Sequence, residues 1–241
     1  MIASIKRYLR KQVFYPDALG VFVNPFFFAR RGLVKEIKAV SAAITGRILD
    51  VGCGSKPYQS LFNYTEYIGV DIENPGHDHS QEQVDVFYDG KRLPFPDHSF
   101  DSVISNQVFE HVFNPPEFLA ELYRILKPGG KLLLTVPFVW DEHEQPNDFA
   151  RYSSFGIQAV LKQAGFEVIS LTKSVDDIRV VFQMITLYVY KKTVTRNNLL
   201  NRVIVLVLIS PWNILGSLVH WILPRNRDLY LDNIVLARKP A

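Results

Sequence analysis

Arg47-Ile48-Leu49-Asp50-Val51-Gly52-Cys53-Gly54 is the stretch that decides the fold. Ile48, Leu49 and Val51 are apolar and suit a strand buried inside a parallel sheet. Asp50 falls near the strand's end. The glycines after it let the backbone turn sharply and approach a ligand with no Cβ in the way. Strand, glycine turn and helix N-terminus form the arrangement by which open α/β sheets hold nucleotide-like cofactors. The dinucleotide fingerprint G-x-G-x-x-G is not met, because Pro57 stands where its third glycine would fall. The expected ligand therefore has no pyrophosphate.

The rest of the chain bounds this reading. Its 241 residues, 48% hydrophobic and 21% charged, suffice for one well-buried domain with additions. A formal net charge of +3 is too small to argue for nucleic acid, and none is expected as a partner. Cys53 is the single cysteine, so no internal disulfide is expected and a reducing compartment fits. Met1–Gln12 is basic without an uninterrupted apolar run, so no secretory signal is read.

Working outward, Tyr67-Ile68-Gly69-Val70-Asp71 reads as a second strand ending in an acid. It lies about twenty residues after Asp50, the spacing at which a carboxylate accepts hydrogen bonds from ribose hydroxyls. A loop cap is the plainer alternative. Val84–Phe87 is a short third strand, closed by the turn-forming Tyr88-Asp89-Gly90. Ser99–Ser105 alternates like a central fourth strand, and Asn106-Gln107-Val108-Phe109-Glu110-His111-Val112 follows at once. Ligands sit at the carboxyl ends of such strands, so this segment should border the reacting group. The His111 imidazole titrates near neutrality and suits removal of a proton from a hydroxyl. A helix-start histidine bonded to backbone is the alternative. Pro115-Pro116 opens a helix with Phe118, Leu119, Leu122, Ile125 and Leu126 inward, and Lys127-Pro128-Gly129-Gly130 ends it. Lys131–Val136 is the fifth strand.

From Gly46 to Phe166 these features resemble, in register, the class I S-adenosylmethionine (SAM)-dependent methyltransferases of type 11. The D-V-G-C-G turn resembles the family's first motif. The E-H-V segment at Glu110–Val112 and the L-K-P-G-G-K-L-L-L segment from Leu126 are similar to later ones. The resemblance implies an α/β, Rossmann-like sheet of seven mostly parallel strands with helices on both faces. An antiparallel last strand would pair with the sixth. It implies SAM as cofactor. Asp50, Gly52, Cys53 and Gly54 would take its methionine end and Asp71 with Ile72 its ribose. Asp89 with Gly90 would take its adenine, and Asn106 with Gln107 would border its methyl group. Helix N–H groups after the glycine turn would favour the methionine carboxylate.

Phe138–Ser153, F-V-W-D-E-H-E-Q-P-N-D-F-A-R-Y-S, is the loop expected to meet the acceptor. His143 joins His111 as a candidate base, and Glu144 sits beside it. Trp140, Glu144, Asp148, Arg151 and Tyr152 are candidate acceptor contacts, with Arg151 suited to a carboxylate or phosphate. An Asp148–Arg151 ion pair is the alternative. No metal site is read here. The loop resembles segments of methyltransferases from bacterial polysaccharide and lipid-linked sugar pathways.

Ser154 is expected to cap a helix to Gln163, and Glu167–Leu171 to form the sixth strand. The last strand falls within Leu229–Arg238. The domains expected are therefore a helical cover at 1–45, a core at 46–173 with 228–241, and an insertion at 174–227. In the cover, Lys6, Arg7, Arg10 and Lys11 read as a solvated face or as a basic surface-binding segment. Asn24 should cap a helix with Pro25 in its first turn. That helix would pack on the sheet beside the cofactor cleft, with substrate gating as the alternative. The insertion is apolar and basic, with an expected break at Ser210-Pro211. Val203–Ile209 is far short of the roughly twenty residues a membrane span needs. Both flanking strands belong to one sheet, so a single crossing is excluded. Peripheral membrane contact through 178–227, with Trp212 and Trp221 at the headgroups, a cap over the active site, and a homodimer contact all remain open.

The function expected is methyl transfer from SAM to an oxygen or nitrogen of a small-molecule, sugar or lipid-linked acceptor. The setting expected is the cytoplasm, with peripheral contact at the inner membrane surface. A non-catalytic SAM-binding adaptor and a dinucleotide oxidoreductase are the rival readings.

Overall fold

The computed structural model describes residues 2–72 and 83–241; the side chains of residues 2–7, Lys6 and Arg7 among them, lie outside that description. The chain forms two compact units, Ile37–Thr172 with Asp232–Ala241, and Met1–Glu36 with Lys173–Leu231. The strands are β1 (Thr45–Val51), β2 (Asn63–Ile72), β3 (Val86–Tyr88), β4 (Phe100–Asn106), β5 (Leu126–Pro137), β6 (Glu167–Ser174) and β7 (Asp232–Arg238). The α-helices are α1 (Ile2–Phe14), α2 (Phe27–Val40), α3 (Pro115–Ile125), α4 (Ser154–Gln163), α5 (Arg179–Thr193), α6 (Asn198–Ile204) and α7 (Ser210–Val219).

All seven strands join one sheet in the order β3-β2-β1-β4-β5-β7-β6. β1 pairs in parallel with both β2 and β4, so strand order runs outward in opposite directions from it. Such a switch point opens a crevice at the carboxyl ends of the strands. The apolar run in β5, with Leu132, Leu133, Leu134 and Val136 all buried, marks a strand covered on both faces. Leu119, Leu122 and Ile125 of α3 and Ile157 and Leu161 of α4 share its core cluster. Ser153 accepts a hydrogen bond from the Gly156 N–H and caps α4, one residue earlier than expected.

One expectation for this unit needs correction. No α-helix follows the glycine turn: only turns and the three-residue 3₁₀ segment Gln59–Leu61 lie between β1 and β2. Lys56 sits in the left-handed region (φ 50°), outside helical geometry. The helix-dipole argument for the methionine carboxylate therefore has no helix behind it. The last strand does neighbour β6, but it also enters the sheet on its other side, antiparallel to β5 with Leu134 opposite Val235.

The second unit is assembled by buried amides. Gln183 accepts from the Ala29 N–H and donates to the Pro25 carbonyl, each at 3.0 Å. Asn213 donates to the carbonyls of Val21 and Asn24, each at 3.1 Å. Asn24 in turn accepts from the Phe26 N–H at 2.7 Å, an Asx turn ahead of α2, which starts at Phe27 and not at the expected Pro25. The expected break at Ser210-Pro211 is absent. α6, a π-helical stretch at Val205–Ile209 and α7 run on as one helix, Asn198–Val219, of 22 residues. The wider π turn ahead of Pro211 takes up the ring, and Ser210 Oγ donates to the Leu206 carbonyl at 2.6 Å. This helix has a mean hydropathy of 1.8 and is only 28% buried, so by length and composition it is long and apolar enough to cross a membrane. The length limit drawn from the sequence therefore fails. The chain still leaves the sheet at β6 and rejoins it at the neighbouring β7.

Candidate active site

Three acids mark the carboxyl edge of β1, β2 and β3. Asp50 lies opposite Gly69 of β2, Asp71 lies opposite Phe87 of β3, and Asp89 follows β3 directly. Asp50 is buried and accepts the Tyr67 hydroxyl at 2.6 Å. Burial pushes its carboxyl up to about 6, against the pull of Tyr67 and Lys56. Lys56 itself pairs with Asp85, whose carboxylate also accepts the Gly69 N–H at 2.7 Å. Gly52 has φ +73°, and a Cβ there would overlap Val108 Cγ2, so only glycine fits this corner. Cys53 is buried beside it, and burial pushes its thiol well above the usual range. The Gly52 and Cys53 N–H groups both donate to the Val70 carbonyl, at 2.9 and 3.1 Å. Asp71 accepts the Gly54 N–H at 3.1 Å and the Ile72 N–H at 2.9 Å, which ties the turn to the end of β2. Asp89 is exposed and accepts the N–H groups of Lys91 and Arg92 at 2.9 and 3.2 Å, with Gly90 at φ 76° next to it. Asn106 and Gln107 turn toward β5: Asn106 Oδ1 accepts from Thr135 Oγ1 at 2.7 Å, and the Gln107 N–H donates to the Thr135 carbonyl at 3.0 Å.

A second group gathers beyond β4 and β5. The 3₁₀ turn Phe109–His111 follows β4 and carries Glu110 and His111, and the loop after β5 brings His143 to them. The two imidazole rings meet nearly edge to face, with centroids 4.7 Å apart. Glu110 Oε1 lies 3.8 Å from Nε2 of His111 and 3.9 Å from Nε2 of His143. The Glu110 side chain is fully buried, and neither carboxyl oxygen has a hydrogen-bond partner. Burial raises its carboxyl to about 8, countered in part by Arg151. His111 Nδ1 meets the Asn147 carbonyl at 2.7 Å and His143 Nδ1 meets the Asp141 carbonyl at 3.2 Å. A carbonyl only accepts, so the contact at His111 favours a proton on Nδ1, whereas His143 Nδ1 also lies 3.3 Å from Asp148 Oδ2 and 3.4 Å from Arg151 Nη2. Burial lowers the His143 pKa, which favours the neutral ring.

The loop is held in place from within. Arg151 grips Asp148 with both guanidinium arms, at 2.5 and 2.6 Å. Asp148 also accepts the His143 N–H at 2.9 Å. Burial works against the Asp148 charge, yet these donors bring its carboxyl down to about 2. The Glu110 carbonyl accepts from the N–H groups of Phe149 and Ala150, which fastens the loop to the 3₁₀ turn. Glu144 Oε2 stands 3.7 Å from His111 Nε2 on a largely exposed side chain. Tyr152 stacks on Phe109 with centroids 5.0 Å apart, and Trp140 is half-buried.

A family model described as a methyltransferase domain matches residues 49–134. A probable SAM-dependent methyltransferase of Mycolicibacterium smegmatis is 30% identical over 162 residues, 62% of this chain and 62% of that one. An O-methyltransferase, cnsE, of Penicillium expansum is 29% identical over 177 residues, 61% of this chain and 62% of that protein. The aligned part thus falls short of two thirds of either relative. The solved structure of Haemonchus contortus phosphoethanolamine N-methyltransferase 2 superimposes with a TM-score of 0.56 over 92% of this chain and 56% of that one. At 20% identity it speaks for the fold alone. Residues 49–134 thus carry a methyltransferase domain similar to those of SAM-dependent methyltransferases. Its cofactor is SAM, and the dinucleotide and adaptor readings fall away.

The methyltransferase's own residues fit that cofactor. Gly52 supplies a corner that a Cβ would fill, and Asp50, Asp71 and Asp89 share one edge of the sheet. When bound, SAM supplies an activated methyl group on a sulfonium. Of the residues singled out in the sequence, His111, His143, Glu144, Asp148 and Arg151 gather in one cluster, with Arg151 engaged by Asp148. Glu110, Tyr67 and Lys56 were passed over. Glu110 had a signal: an acid beside His111, directly after the central strand. Tyr67 and Lys56 had none, because their partners Asp50 and Asp85 lie far along the chain.

Proposed function

We propose that this methyltransferase places the methyl group of SAM on an oxygen of an amphiphilic, lipid-linked acceptor, at the cytoplasmic surface of a membrane. One observation carries the oxygen acceptor. His111 and His143 each bring Nε2 within 4 Å of Glu110 Oε1, on the segments that follow β4 and β5, where the sequence expects the methyl group. The acceptor oxygen attacks the methyl carbon, the carbon–sulfur bond breaks, and its electron pair stays on sulfur as a neutral thioether. The hydroxyl proton leaves toward an Nε2. Alignment supplies most of the acceleration. The similarity to a relative named as an O-methyltransferase supports this reading.

The membrane part rests on the unit formed by Met1–Glu36 and Lys173–Leu231. Leu206, Val207, Leu208, Leu215 and Leu218 are exposed along one helix, with Trp221 and Ile222 exposed just beyond it. Arg202 lies on that helix, and Arg196 and Arg225 flank it. Exposed apolar residues bordered by cations suit the boundary between headgroups and acyl chains. The same unit holds a cleft of about 790 Å³, with Arg31 and Arg225, the Lys35–Glu36 pair and the Arg179–Asp177 pair beside Phe27, Phe28 and Trp221. That lining suits an anionic head on an apolar tail.

The test is transfer of tritiated methyl from SAM into a membrane-containing extract, split afterwards into lipid and aqueous phases. Label is expected in the lipid phase, on an alkali-stable ether or on an ester. Label confined to the aqueous phase would remove the lipid acceptor.

A further inference from the structure

We propose that Glu110, His111 and His143 bind one first-row divalent metal ion of the zinc type, through Glu110 Oε1 and the Nε2 atoms of both histidines. The three ligand atoms lie within 4.8 Å of one another. The carboxylate-to-imidazole separations of 3.8 and 3.9 Å are too long for a hydrogen bond. Two atoms that share a tetrahedral ion at ~2.1 Å each stand roughly 3.4 Å apart, so the two carboxylate–imidazole pairs close by about half an ångström and the imidazole pair, within 4.8 Å, by at most about 1.4 Å.

Three further features point the same way. Glu110 is fully buried with no donor on either oxygen, so its charge is answered by a proton or by a bound cation. Each histidine has its Nδ1 on a backbone carbonyl, the contact that fixes tautomer and ring orientation in metal-ligating histidines. The ligands also sit on restrained backbone. Glu110 and His111 share a 3₁₀ turn, and its carbonyl bonds to Phe149 and Ala150, with the Asp148–Arg151 fork, hold the loop that carries His143. Two imidazoles and one carboxylate form a set that favours zinc, cobalt or iron over magnesium or calcium, and leave a coordination position open.

Glu144 Oε2 lies 3.7 Å from His111 Nε2, which sets a carboxylate beside the proposed ion. With both Nε2 lone pairs given to the ion, neither histidine is the base: an acceptor hydroxyl on the open position would be acidified and would pass its proton to Glu144 and on to water. The alkoxide then forms the carbon–oxygen bond as the carbon–sulfur bond breaks, with the pair left on sulfur. This role rests on the oxygen-acceptor reading, whereas the ion site does not.

The experiment uses the full chain, stripped with a chelator and dialysed. Cobalt(II) is titrated in while visible absorption is followed, and zinc binding is measured by calorimetry. Expected are one equivalent of cobalt per chain, d–d bands that zinc abolishes, and binding roughly 100-fold or more weaker in Glu110→Gln and in His143→Ala. SAM affinity, measured in parallel, should stay within about threefold of wild type and report that the variants are folded. Should Glu110→Gln fail that check, the His143→Ala titration decides alone, since His143 lies on the loop. No saturable single equivalent, or unchanged cobalt affinity in a folded variant, overturns the site. Stoichiometric binding with no methyl label in lipid leaves the site standing and sinks the acceptor reading instead.

Discussion

Replacing Asp50 with asparagine should stabilise the cofactor-free methyltransferase at neutral pH while weakening its hold on SAM. Asp50 is buried, and its carboxyl sits at about 6 in the fold against an ordinary 3.8. A raised folded-state value means the fold holds this proton more tightly than the unfolded chain. Below 3.8 the group is neutral in both states and has no effect. As pH rises from there to about 6, the unfolded chain releases the proton first, and stability falls by about 1.4 kcal/mol per pH unit. Above that the loss is complete, at about 3 kcal/mol for a displacement of roughly two units. Asparagine has the shape of the neutral acid, can still accept the Tyr67 hydroxyl, and avoids the loss. The variant should therefore melt roughly 6–12 °C higher at pH 7.5, given ~2–4 °C per kcal/mol in a chain of this size. At pH 4.5 the gain should shrink to about 1 kcal/mol. Thermal unfolding followed by circular dichroism, without SAM, at both pH values measures it. A variant that melts at or below wild type at pH 7.5, or one whose gain does not change with pH, would refute the reasoning. A buried carboxylate that destabilises its own fold is best explained by a bound ligand that needs the charge.

Three further outcomes are expected. Because Asp50 gains a proton as pH falls through about 6, SAM affinity should drop about tenfold per unit below that point, as read by calorimetry; a flat profile from pH 7 to 5 would place Asp50 away from the cofactor. Gly52→Ala should cost at least about 2 kcal/mol in urea unfolding, since it adds a strained φ to an overlap with Val108, and Gly52→Ala with Val108→Ala should recover only part. Leu206→Glu with Val207→Glu should abolish co-sedimentation with anionic vesicles and leave SAM affinity unchanged, because both side chains are exposed; vesicle binding at the wild-type level would remove this helix from the membrane contact.

Ile48-Leu49-Asp50-Val51-Gly52 was legible because each residue's role is local: an apolar strand, then a turn that only glycine permits. The acids at 50, 71 and 89 were legible for the same reason, as each ends a short strand. The helix expected after Gly54 was not, because a left-handed Lys56 ahead of Pro57 is a backbone state that composition does not announce. Pro211 misled in the opposite direction. A proline breaks a helix when the turn before it is tight, and here a π turn at Val205–Ile209 widens it.

The group of Glu110, His111 and His143 shows where local reading ends. His111 and His143 were found separately, as residues able to take a proton, and nothing in their spacing joins them. They meet because β4 and β5 are adjacent parallel strands, so whatever follows each strand's carboxyl end is delivered to the same edge. Glu110 then acquires its character from that meeting. On an exposed turn it would be an ordinary acid, but fully buried against two imidazoles and without a donor it is a group whose charge must be answered by something else. A proton answers it at the cost of a base, and a cation answers it while leaving a site open for the acceptor. That difference is measurable, because protonation leaves no trace in a cobalt titration and an ion does.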